Sequence, residues 1–88
     1  MYRLIVLPVV DRIFKRLAKK DKIQLIAVNN KIKQLQENPL IGKPLHFPLQ
    51  NMRRVHVMKS FVLIYDIQEK DKTITMRDYD HHDNIYRK

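Results

Sequence analysis

MRRVHVMKSFVLIYDIQEKDKTITMRDYD, residues 52–80, decides the fold. Residues 52–58, 61–68 and 73–79 each carry the β-branched and aromatic side chains of a strand, and they are separated by the short polar stretches Lys59-Ser60 and Glu69 to Lys72. Turns that short join antiparallel neighbours, so the stretch predicts a three-strand antiparallel meander. FVLIYDI is nearly continuous in apolar residues, as expected of a central strand covered on both faces.

Working towards the amino terminus, PLIGKPLHFPLQ (residues 39–50) holds three of the four prolines and the only glycine. It predicts an irregular loop, tacked to the core by its leucines and Phe47. Before it, Leu25, Val28, Ile32 and Leu35 recur at three- and four-residue steps, predicting a helix from an Asp21 cap to Glu37. Asn38-Pro39 ends it, because the proline ring disfavours helical geometry at the preceding residue. Val9, Val10, Ile13, Phe14 and Leu17 set a first helix over residues 9–20, and YRLIVL (residues 2–7) reads as an opening strand stopped by Pro8. The order β-α-α-β-β-β, with a curved sheet and a short carboxyl-terminal turn or helix, is an α+β fold. One domain spans residues 1–88.

Eighteen Lys and Arg against nine Asp and Glu give a net charge of +9, a field that draws phosphate backbones or acidic proteins. There is no cysteine, hence no disulfide framework or thiolate zinc site, which accords with a reducing compartment such as the cytoplasm. LIVLPVV is too short to cross a bilayer and runs straight into DRIFKR, so no membrane role is expected.

Alternation puts Val55 and Val57 on one face of their strand and Arg54 and His56 on the other, where two basic groups could receive a polyanion. Arg53 falls on the valine face by strict parity and is assigned to the frayed start of the strand. The chain closes in RDYDHHDNIYRK, residues 77–88. His81 and His82 diverge on either a strand or a helix, so no metal site is expected there. Ile85-Tyr86 predicts that the last turn docks on the core. Tyr65 reads as core, and Tyr79 fits either core or site.

Together these segments resemble the RelE/ParE superfamily of toxins, most closely its RelE branch. The matching words are NPLIGKPL (38–45), RRVHV (53–57), LIY (63–65) and HHDNIY (81–86), in family order. The resemblance implies a RelE-like fold and a toxin of a type II toxin-antitoxin system: a ribosome-dependent endoribonuclease that cuts mRNA without metal or other cofactor. It also implies an acidic, RelB-like antitoxin, with the toxin itself monomeric. Carried over by position, Arg54, His56, His81, His82 and Tyr86 become the candidate catalytic groups, while Arg53, Lys59, Arg77 and Arg87 supply RNA-binding charge. The family carries an arginine where this chain has Val62, and another where it has His82. ParE toxins share the fold but poison gyrase, and a basic module that only binds RNA or antitoxin is a third alternative.

Overall fold

The computed structural model describes residues 1–46, 48–49 and 51–85. Strand β1 (Arg3–Val6) leads into helices α1 (Pro8–Lys20) and α2 (Lys22–Glu37). A 3₁₀ turn (Pro39–Ile41) and the two-residue strand β2 (Lys43–Pro44) follow, then β3 (Met52–Val57), β4 (Phe61–Gln68), β5 (Thr73–His81) and the short helix α3 (His82–Ile85). The expected β-α-α-β-β-β order is present, with the 3₁₀ turn and β2 added inside the loop. No helix among the described residues is long and apolar enough to cross a membrane.

Pro8 starts α1 one residue earlier than expected. At the first helical position its missing N–H has no helical partner to lose, and its fixed φ suits the helix. Asp21 serves both helices: its N–H donates to Leu17 O of α1, while its carboxylate accepts from the Gln24 backbone N–H at 3.1 Å and the Gln24 amide at 3.0 Å. Gln24 in turn accepts the Tyr79 hydroxyl at 2.6 Å, so the helical hairpin is tied to the sheet through a buried hydrogen bond.

The sheet order is β1-β5-β4-β3-β2, antiparallel except where β1 pairs parallel with β5. Val10 of α1 and Val28, Ile32 and Leu35 of α2 pack against Val57, Leu63, Tyr65, Ile74, Met76 and Tyr79. Val62 and Ile64 are buried on the opposite face of β4, towards which α3 and the loop after β2 are brought.

The lone glycine joins two of the motifs singled out above. Asn38 Oδ1 accepts the Leu40 N–H and starts the 3₁₀ turn. Pro39 O then accepts from the Tyr65 hydroxyl at 2.5 Å, and Gly42 N–H donates to the Tyr65 hydroxyl oxygen at 3.0 Å. A Cβ on Gly42 would lie 2.2 Å from that oxygen, so glycine is needed for close approach. Burial pushes the Tyr65 phenol above its ordinary pKa, partly offset by the Gly42 N–H and the Arg53 charge.

Candidate active site

Register fixes which side chains share a face. Lys43, Arg54, Ile64 and Asp78 form one row across β2, β3, β4 and β5. His56, Val62 and Asp80 form another. Val55, Leu63 and Tyr79 make an intervening row on the helix side, so Arg54 and His56 point away from the helices. Val62 stands directly opposite His56 and is fully buried. Where the resemblance supplies a guanidinium, this face has an aliphatic patch.

Arg77 reaches that face through a break in register. Ile64 pairs with Asp78 and Tyr65 with Met76, leaving Arg77 as an extra residue in β5. Such a bulge re-aims side chains, and here the consecutive residues Arg77 and Asp78 both line one groove. Arg77 Nε donates to Asp66 Oδ2 at 2.6 Å. Asp66 is buried, and its other oxygen accepts from the Gln68 amide, whose carbonyl accepts the Thr75 hydroxyl at 3.1 Å. The guanidinium is thus held from below by a buried carboxylate while its exposed end faces solvent.

The groove has a volume of about 680 Å³. Leu7, Leu45, Leu49, Met52, Ile64 and Ile85 give it apolar walls, and Arg54, Arg77, Asp78 and His46 give it polar groups. Two guanidinium groups over an apolar floor can hold a phosphate and shelter a base or sugar. A smaller neighbouring depression is lined by Lys43, Arg54 and His56.

Sequence reasoning placed Arg54 on this face and named Arg77 as an RNA-binding group without placing it in the same groove. It missed His46 and Asp78; His46 lies in a proline-rich stretch with no periodic signal, while Asp78 depends on the bulge. Arg53 is not frayed, because β3 begins at Met52 and Arg53 pairs with Pro44 and Tyr65. Its Nη1 donates to Gly42 O at 2.7 Å, which ties the guanidinium to the loop. Lys59 is exposed in the turn between β3 and β4. Tyr86 and Arg87 lie outside the described residues, as does Phe47. Tyr79 is core, its phenol pushed up by burial and by the charge of Asp21.

His56 and His81 stand on opposite faces of the sheet. His81 pairs with Phe61 and meets its ring edge-on at 5.6 Å, on the helix side. The expectation that His81 and His82 diverge is also corrected. β5 ends at His81 and α3 begins at His82, so neither regular geometry spans the pair, and their rings stack at 4.5 Å. Asp83 lies against both, 3.0 Å from His82 Nδ1 and 3.7 Å from His81 Nδ1.

Residues 5–86 match the family described as ParE toxin of type II toxin-antitoxin system, parDE. A candidate toxin, RelE4, of Methanocaldococcus jannaschii is 43% identical over 88 residues, covering 100% of this chain and 94% of that protein. The fold is similar to the YoeB/ParE toxin from Agrobacterium tumefaciens, with a TM-score of 0.81 at 12% identity over 91% of this chain and 98% of that one. It is also similar to a chain of the toxin-antitoxin complex RelBE2 from Mycobacterium tuberculosis, with a TM-score of 0.77 at 24% identity over 91% and 96%.

Proposed function

Starting from a chain that belongs to the ParE toxin family of type II toxin-antitoxin systems, we propose that it is an endoribonuclease that cleaves mRNA on the ribosome, using the groove that holds Arg54 and Arg77. The observation that carries this reading is the bulge at Arg77, which supplies a second guanidinium beside Arg54 on a face where Val62 leaves the usual arginine out. The reaction is attack of an RNA 2′-hydroxyl on the adjacent phosphate. A base takes the hydroxyl proton, cations hold the charge gathering on the phosphate oxygens, and an acid protonates the departing 5′ oxygen.

A guanidinium is a fixed cation and donor, so the part of Arg54 and Arg77 is to bind the phosphate. Imidazole exchanges protons near neutral pH, and base and acid are assigned to His46, which lines the groove, and His56, which lines the depression beside Arg54. The apolar walls hold the flanking nucleotide. Tyr86, matched to the family's closing tyrosine by the resemblance, stacks on a splayed base or assists proton transfer. His81 and His82 are assigned no proton here, since His81 lies on the helix side of the sheet. No cofactor takes part.

An acidic antitoxin, with a helix laid over the basic and apolar surface, holds the toxin inactive in the cytoplasm, and the toxin alone is a monomer. The RelBE2 structure is a toxin-antitoxin complex. In a translation extract with end-labelled message, the wild-type chain should produce codon-phased cuts, and the Arg54→Ala, Arg77→Ala double variant should produce none. Cuts that persist in the folded double variant overturn the assignment.

Val62 also favours a second reading, a ParE-type toxin acting on gyrase without cutting RNA. That toxin would leave the message intact in the same extract.

A further inference from the structure

Five rings form a ladder from α1 to the end of the sheet. Phe14 meets Tyr79 edge-on at 5.7 Å, Tyr79 stacks on Phe61 at 5.7 Å, His81 meets Phe61 edge-on at 5.6 Å, and His82 stacks on His81 at 4.5 Å. The buried end of this ladder fixes where the imidazole end stands. The backbone is fixed as well, because His82 N–H donates to Ser60 O at 2.8 Å.

Asp83 closes the same corner. Its N–H donates to His81 Nδ1 at 3.2 Å, so that nitrogen presents its lone pair towards Asp83. Its two carboxylate oxygens face the two imidazoles. One ligand atom from each of His81, His82 and Asp83 lies within 4.8 Å of the other two.

We propose that His81, His82 and Asp83 form a binding site for a divalent transition-metal ion of the zinc or nickel class. Two nitrogens and one oxygen suit such borderline ions, whereas magnesium and calcium prefer all-oxygen shells. Bonds of about 2.0–2.2 Å set tetrahedral donors roughly 3.3 Å apart. Closing that difference requires the half-exposed His82 to turn out of its stack on His81, and a ligating His81 Nδ1 to exchange the Asp83 N–H for the ion, while the contact with Phe61 holds the His81 ring and the exposed Asp83 side chain follows. Three protein ligands leave at least one position open to solvent.

The ion would join the end of β5 to the first turn of α3. Because Ile85 of α3 lines the groove, occupancy stiffens one groove wall from the opposite side of the sheet. The site rests on donor geometry and stands whether or not the groove cuts RNA.

The test is isothermal titration calorimetry of the untagged chain with zinc chloride and nickel chloride, with magnesium chloride as control. One equivalent of zinc or nickel should bind and magnesium should give no saturable heat. His82→Ala and Asp83→Asn should each weaken binding at least tenfold while leaving the circular dichroism spectrum unchanged. Absence of saturable zinc and nickel binding, or equal affinity in both folded variants, overturns the proposal. Nickel-induced broadening of the His81 and His82 imidazole NMR signals to the same extent in Asp83→Asn as in the wild type would overturn the three-ligand site.

Discussion

Replacing Gly42 with alanine should destabilise the protein by about 3 kcal/mol, although the backbone can accept it. Gly42 has φ −73° and ψ 152°, an ordinary extended geometry, so alanine alone would contribute roughly 0.4–1 kcal/mol by restricting the unfolded chain. The cost is spatial. The new Cβ would lie 2.2 Å from the Tyr65 hydroxyl oxygen, 2.8 Å from Tyr65 Cε1 and 2.8 Å from Arg54 O. Tyr65 is fully buried, and moving its ring breaks hydrogen bonds to Pro39 O and from Gly42 N–H. A stranded buried hydroxyl costs about 1–3 kcal/mol and overpacking about 1–3 kcal/mol more. Urea unfolding of the wild type, Gly42→Ala, Tyr65→Phe and the double variant measures both the cost and its origin. Without the phenol oxygen the shortest approach disappears, so Gly42→Ala should cost at least about 1 kcal/mol less in the Tyr65→Phe background. A single variant within about 0.5 kcal/mol of wild type, or strict additivity in the cycle, would refute this account of the loop.

Asp66→Ala should destabilise the fold by about 1–3 kcal/mol, because the buried carboxylate holds both the Gln68 amide and Arg77, and should lower RNA cleavage by the folded variant roughly 10- to 100-fold by releasing the guanidinium from its set direction; a cleavage assay paired with a urea melt checks it, and unchanged cleavage contradicts it. Tyr79→Phe should cost about 1 kcal/mol at neutral pH through the lost hydrogen bond to Gln24, read from urea midpoints. The same phenol gives a pH dependence. Its folded pKa is raised, so the unfolded chain loses the proton first, and stability should fall above about pH 10 by up to about 1.4 kcal/mol per pH unit. That slope should shrink in Tyr79→Phe, and an unchanged alkaline slope would show that Tyr79 does not cause it.

The strands and helices were legible because each had a period. Leu25, Val28, Ile32 and Leu35 mark the α2 stripe, though Gln24 rather than Leu25 is its buried first member, since Gln24 is occupied by Asp21 and Tyr79. The pairing of β1 with β5 was not legible, because a strand's apolar run does not name its neighbour. The bulge did leave a trace. Ile74, Met76 and Tyr79 all face the core, and the odd spacing between Met76 and Tyr79 requires one extra residue. Reading that slip would have aimed Arg77 and Asp78 together into the groove. The histidine pair was not legible for the complementary reason: it diverges on a regular strand and on a regular helix alike, and it stacks because the chain changes from strand to helix between the two residues.

The most direct measurement is induction of the toxin in growing cells, with mRNA 5′ ends mapped in parallel with DNA double-strand breaks. The account predicts new ends in phase with codons inside translated messages, absent with the Arg54→Ala, Arg77→Ala double variant, and no rise in DNA breaks. DNA breaks with intact messages, or ends that persist in that variant, would contradict it.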